Sequence, residues 1–276
     1  MVIKMCWLNL NAQIQLKKGE IINKIEPQTS PHFEKYATYL AKIYEYSINE
    51  YPECEELINH YKNVSIYEMS NDKIYQEICW IIYSSGFKND IIKKYWPYIT
   101  EAYFKFDINK ITDEYSDIDS AAIIVCRKSN FNNLNKAKYC IYNAHRITYL
   151  NDYLYEGGLR GVLNSIINMS VLDVYSIIPE LKKQLGLKGI GDVTIFHLLK
   201  NVGINIFKPD IHVLRILEYI GLFKELKSQR ETYYVLKQIS KEMCIDVSEL
   251  DTALFVFGKN NERNFEKILD GFILLK

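Results

Sequence analysis

The sequence is short of the residues that break helices. Its 276 residues include 12 glycines and 6 prolines, too few for the many turns of an all-β sandwich or barrel. Neither charge is in excess: lysine plus arginine and aspartate plus glutamate each total 34, so the formal net charge is zero. That excludes a broadly basic surface, and any polyanion must be held by a local patch or by backbone N–H groups. The six cysteines are Cys6, Cys54, Cys79, Cys126, Cys140 and Cys244. They form no CxxC pair and no cluster with zinc or iron–sulfur spacing, so no metal site is expected. Several sit in apolar runs such as "EICWII" and "AAIIVC" and read as reduced core thiols of a cytoplasmic protein. No apolar run nears the roughly 18 residues of a membrane helix. The start, "MVIKMCWLNL", lacks the apolar stretch of a signal peptide.

The chain is 48% hydrophobic, ample for one large core or two smaller ones. Residues 1–30 admit a short β element, since "MCWLNLNAQIQL" partly alternates. From Pro31 to about Tyr61, Phe33, Tyr36, Ala37, Leu40, Ile43 and Tyr44 recur at helical spacing. "SNDKIYQEICWIIYSSGF" reads as a capped helix from Asn71 or Asp72 to near Gly86. "DIIKKYWPYITEAYFKF" reads as two short helices broken near Pro97. A helical tail begins near Thr232. The fold class is all-α.

Residues 179–203 carry the most informative pattern. Pro179 suits the first turn of a helix and Gly186 its left-handed end. A second helix starts at Asp192 or Val193 and closes at Gly203, leaving only "LKGIG" between the two. Glycines at 189 and 191 allow positive φ and a close backbone approach. N–H groups from about Gly189 to Val193 face outward at a helix N-terminus, where an anion is favoured. An ordinary αα-hairpin whose glycines only make the turn has the same pattern.

A second signal lies beyond the hairpin. "LKGIGDVT" is succeeded, nineteen residues after Gly191, by Asp210 in "KPDIHVLRI". Together these resemble the helix-hairpin-helix (HhH-GPD) superfamily of DNA glycosylases. The matching residues are Leu187, Gly189, Ile190, Gly191 and Thr194, then Asp210, His212, Val213 and Arg215. Weaker likeness extends to "WIIYSSGFKND" and "NKAKYCIYNAHRI", so that it covers roughly residues 70–220. The resemblance implies two helical subdomains flanking a cleft, 71–204 and 31–70 plus 205–276, with 1–30 as an extension. It implies an enzyme that flips a damaged or modified base out of double-stranded DNA and hydrolyses its N-glycosidic bond, acting as a monomer.

Each residue has a role under that resemblance. Lys188, Gly189, Ile190, Gly191, Val193 and Thr194 would bind DNA phosphate. Asp210 would be the catalytic carboxylate, although an aspartate after proline is also a good helix N-cap. Arg215 reads as making a structural ion pair or carbonyl contacts, and His212 as structural, with the site or DNA as its alternative. Phe87 and Lys88 are wedge candidates for the gap left by the base, although Phe87 equally suits packing under a loop. Trp80 and Tyr83, or alternatively Trp96, are candidates for the base pocket, against the ordinary placing of such rings in a core. The superfamily often holds a monovalent cation on the hairpin carbonyls. Departures are informative too. Val193 stands where bifunctional members carry a Schiff-base lysine, which points to a monofunctional enzyme, with Lys208 the candidate for a displaced lysine. No four-cysteine cluster comes after the catalytic helix, so no iron–sulfur cluster is expected. Asp192 would repel phosphate. A DNA-binding module without chemistry and an α-helical interaction module with a fortuitous hairpin are the competing readings.

Overall fold

The computed structural model describes residues 33–154, 157–167, 169, 171–222 and 229–274. The β element considered for residues 1–30, and Cys6, lie outside them. The described residues contain fourteen α-helices and no strand, so the class is all-α. In chain order the helices are α1 (Phe33–Glu50), α2 (Pro52–Asn63), α3 (Asn71–Ser84), α4 (Asn89–Ala102), α5 (Ile108–Glu114), α6 (Ile118–Ser129) and α7 (Leu134–Tyr149). They continue with α8 (Gly158–Ile167), α9 (Val171–Leu185), α10 (Asp192–Asn201), α11 (Ile211–Tyr219), α12 (Gln229–Glu242), α13 (Val247–Asn260) and α14 (Phe265–Leu274).

Two compact units share these helices. Among the described residues the first takes 33–64, 169, 171–177, 203–222 and 229–274; the second takes 65–154, 157–167 and 178–202. The border therefore falls inside α9.

The first unit is built around α13. Its capping box, in which Asp246 N–H donates to Glu249 Oε1 at 3.1 Å, fixes where it starts. It is buried on nearly every face, from Leu250 through Ala253, Leu254 and Phe257, with the polar Glu249, Asp251 and Thr252 buried beside them. It packs against α1, α2, α11 and α12. Gly258 lets α11 come close: a Cβ there would lie 2.9 Å from the backbone oxygen of His212. α1 presents Tyr36, Leu40 and Ile43 at helical spacing, and Ser47 Oγ donates to Ala253 O of α13 at 3.0 Å.

In the second unit α7 is central and packs against α3, α5, α6 and α8. Buried tyrosines bring their hydroxyls to its carbonyls: Tyr75 donates to Cys140 O at 3.0 Å and Tyr103 to Ala137 O at 3.3 Å. A buried phenol needs such a partner.

Several sequence expectations are corrected. Pro97 does not break a helix; it lies inside α4. Pro97 and Lys93, whose carbonyl loses its partner, are both exposed, while Ile92 and Ile99 hold the inner face. Water can satisfy the orphaned carbonyl there. Pro179 likewise sits inside α9 and is exposed; the helix starts eight residues earlier, with Val174, Ile177, Ile178, Leu181 and Leu185 on its buried face. The segment read as helical to Tyr61 is, from Phe33 on, two helices, restarted at Pro52. Cys54, Cys79, Cys126 and Cys140 are buried, but Cys244 is exposed in the turn after α12. Among the described residues no helix is long and apolar enough to cross a membrane.

Candidate functional site

The hairpin joins α9 to α10. Leu187 and Ile190 point inward and anchor it. Gly189 adopts φ +76°, and a Cβ there would lie 2.9 Å from Tyr139 and 3.2 Å from Ile82. Both facts require glycine. Gly191 differs from the expectation: its φ is −92° with ψ −166°, ordinary extended backbone, and a Cβ would meet only Thr194 Oγ1 at 3.8 Å. Its small size therefore matters only to what approaches from outside.

Two residues of α7 that the sequence did not single out brace the turn. The side chain of the buried Asn143 grips Lys188 twice: Nδ2 donates to its carbonyl at 2.9 Å, and Oδ1 accepts its N–H at 2.8 Å. One turn on, Arg146 donates to Leu185 O at 2.9 Å and Gln184 O at 2.8 Å. The guanidinium thus satisfies the last carbonyls of α9 at the negative end of its dipole. A polar pair at i and i+3 on an otherwise apolar stretch was the available sequence signal.

The ring of phosphate donors is smaller than expected. Gly191 N–H donates to Thr194 Oγ1 at 2.6 Å, so Thr194 caps α10, and Lys188 N–H is held by Asn143. The N–H groups of Asp192 and Val193, in the first turn, have no intrahelical acceptor. Asp192 is ion-paired with Lys182, which offsets the repulsion its charge would exert on an anion. Val193 is exposed and offers no amine.

The aromatic candidates divide. Tyr83 is fully buried, edge-on to Phe131, and its hydroxyl lies 3.1 Å from that of Tyr103. It is a core residue of the second unit and shows no face to a base, which corrects its place among the pocket candidates. Burial pushes its pKa well up. Trp80 is half-buried, edge-on to Trp96 at 4.9 Å, and Trp96 stacks on Phe106 at 5.2 Å. Phe87 is 39% exposed, with one edge on Phe131 at 5.3 Å and the Lys136 ammonium 5.3 Å from its ring centroid. Lys136 also donates to Ser85 O at 2.8 Å and to Ile82 O, closing the end of α3. Phe87 is therefore both packed and presented. Lys88, exposed, is the N-cap residue of α4.

Asp210 belongs to the first unit. The chain turns tightly about Pro209, where Asp210 N–H donates to Lys208 O at 2.7 Å, and Asp210 is the N-cap of α11, its Oδ1 accepting His212 N–H at 3.0 Å. Its Oδ2 lies 3.2 Å from Lys208 Nζ; the side chains of Lys208 and Asp210 are only 16% and 18% exposed. The chain leading to it is pinned from two helices. Lys208 N–H donates to Asp251 Oδ1 of α13 at 3.1 Å, and Tyr233 of α12 donates its hydroxyl to Phe207 O at 3.0 Å. The Lys208 ammonium lies 5.3 Å from the ring centroid of Phe255. Burial pushes the Asp210 carboxyl up, but the Lys208 charge and the His212 N–H outweigh it and hold it below the usual carboxylate range. Arg215 makes a surface ion pair with Glu262 at 3.5 Å. The His212 ring packs near Phe255 at 5.9 Å.

No protein-family model matches the chain, and no curated protein is significantly similar in sequence. Solved structures are similar in fold. The 8-oxoguanine DNA glycosylase of Thermotoga maritima aligns with a TM-score of 0.51 at 16% identity, covering 81% of this chain and 96% of its own. The 8-oxoguanine glycosylase/lyase of Methanocaldococcus jannaschii, solved with a 15mer DNA containing 8-oxoguanine, aligns with a TM-score of 0.51 at 18% identity, covering 82% and 96%. Over most of its length the chain thus has the fold of these two 8-oxoguanine glycosylases.

Proposed function

We propose that the protein is a DNA glycosylase that hydrolyses the N-glycosidic bond of a damaged or modified base flipped out of duplex DNA. The observation that carries this reading is Asp210: a carboxylate mostly buried, fixed by its cap bond, and kept ionised by Lys208. As the C1′–N bond breaks, its electron pair leaves with the base and positive charge builds on the sugar. A carboxylate held in low dielectric stabilises that charge. It also orients the water whose oxygen adds to C1′, and takes the proton the water gives up. A base reaches such a carboxylate only by leaving the stack.

The other residues have assigned tasks in this reading. The hairpin backbone, with Lys188, Gly189, Ile190, Gly191 and Val193, holds a phosphate without reading sequence, and Thr194 fixes its shape. Phe87, with Lys88 beside it, fills the gap left by the base, and Trp80 walls the base pocket. Turn carbonyls are hard oxygen donors, the kind a monovalent cation takes. Lys188 O and Gly191 O already accept bonds from Asn143 and Ile195, so such an ion would rest on the remaining carbonyls.

The product is an intact strand with an abasic site. A lyase needs an uncharged amine to form a Schiff base with the sugar. Val193 has none, and the Lys208 ammonium is tied to Asp210. Borohydride trapping on labelled substrate is expected to give no covalent band. A band lost in Lys208→Ala would make this a lyase using that lysine.

The deciding experiment incubates the protein with duplexes carrying 8-oxoguanine, the base named for both structural relatives, and alkylated, deaminated and hypermodified bases. Released base is read by mass spectrometry. Asp210→Asn is expected to keep its circular dichroism and DNA affinity while base release falls at least about a hundredfold. Wild-type turnover in that variant would move the chemistry elsewhere. No release from any duplex, with DNA binding intact, would leave a binding module without chemistry.

A further inference from the structure

Beside the hairpin, the start of α6 and one face of α7 border a shallow groove of about 310 Å³, lined by Ile118, Lys138, Tyr139, Tyr142, Lys188 and Gly189. All six residues belong to the second unit. The Tyr139 ring lies against Gly189 yet stays 39% exposed. The Lys188 ammonium lies 5.6 Å from the centroid of the Tyr142 ring. Lys138 opens on the same groove, paired with Asp119 at 2.5 Å.

That composition is specific in its chemistry. Two ammonium groups and two phenol rings share one concave surface of a protein with no net charge. The groove is continuous with the hairpin through Lys188 and Gly189, so a strand whose phosphate sits on the hairpin runs on into it. Aromatic faces alternating with cations suit a strand of nucleic acid: cations meet phosphates, and rings carry sugars or bases whatever the sequence. The Lys138–Asp119 pair does not oppose this. Asp119 is largely exposed, and a surface ion pair is weak enough for a phosphate to displace it.

We propose that this groove is a second DNA-binding site that takes the strand flanking the hairpin-held phosphate. Lys138 and Lys188 neutralise its phosphates, and Tyr139 and Tyr142 pack against its sugars. This rests on the reading of the hairpin as a phosphate site, and the test separates the two.

The test is fluorescence anisotropy of a labelled undamaged duplex, titrated at several salt concentrations with wild type, Lys138→Ala, Tyr142→Ala and Asp119→Asn. Lys138→Ala is expected to lower the slope of log affinity against log salt by about one. Tyr142→Ala is expected to weaken binding severalfold at unchanged slope, because it removes an apolar contact with a sugar and no cation. Asp119→Asn, which frees Lys138, is expected to tighten binding severalfold, an effect that lost packing cannot mimic. If wild type binds DNA but Lys138→Ala and Asp119→Asn match it in affinity and slope, the groove proposal is wrong and the hairpin reading stands. If wild type binds no DNA, both fall together.

Discussion

Lys208 has two opposite effects on Asp210. It keeps the carboxylate charged in a place where burial alone would favour the acid, and its own charge shields part of the field that Asp210 offers a developing cation. Since the Asp210 pKa is held below the usual carboxylate range, removing Lys208 lets burial prevail and the pKa rises. Activity that needs the carboxylate is lost on the acid side of that pKa. Lys208→Met, which keeps an apolar chain over Phe255, is therefore expected to move the acid limb of kcat/KM to higher pH. The stability effect has the same sign. A depressed folded-state pKa stabilises the fold above the unfolded value, and that contribution disappears as pH falls through the folded value. The variant should lose part of it, so its melting temperature at neutral pH should drop toward its value in acid. An acid limb that stays put would mean that Lys208 does not set the charge of Asp210. The aspartate itself was legible in the sequence, because a cap after proline is a local pattern. Its ion pair was not, because Lys208 could equally have faced solvent.

At the scale of elements, the hairpin shows why two glycines close in sequence are not equivalent. Gly189 is required by its own φ and by Tyr139 of α7, while Gly191 has neither constraint. Gly189→Ala is expected to destabilise the fold by about 1–3 kcal/mol through strain and displaced packing and to weaken DNA binding with it. Gly191→Ala should leave the melting temperature near wild type and still weaken DNA binding, because its methyl group stands where a phosphate would approach. Thermal melts paired with anisotropy separate the two, and a Gly191→Ala protein normal in both would remove the hairpin tip from the interface. The hairpin was readable because turn chemistry is local. Its brace was hidden, because Asn143 and Lys188 lie 45 residues apart and only packing brings them together. Pro97 and Pro179 misled for a related reason: whether a proline ends a helix depends on which face it occupies, and both lie on exposed faces of helices held by buried ones. Tyr83 reads the same in a pocket wall as in a core, since periodicity says that a ring is inward without saying what lies beyond it.

The whole molecule carries no net charge, and that bears on how the proposed enzyme would meet DNA. A protein covered in lysine gains affinity from many released counterions and loses it steeply with salt. In the proposed interface backbone N–H groups act at the hairpin, with Lys188 and Lys138 as the local cations, so about two or three phosphates are neutralised. The expected slope of log affinity against log salt is then roughly −2 to −3. Between about 50 and 200 mM salt, affinity should fall some tens of fold, where six to ten phosphate contacts would remove about a thousandfold or more. Weak attraction also slows encounter, because little long-range field steers DNA to the surface. The measurement is a set of binding isotherms on undamaged duplex across that salt range, with Asp210→Asn beside wild type so that turnover does not interfere. A slope near about −7 would require cationic contacts well beyond the hairpin and its groove, and would overturn the view that backbone donors and a few lysines carry this interface.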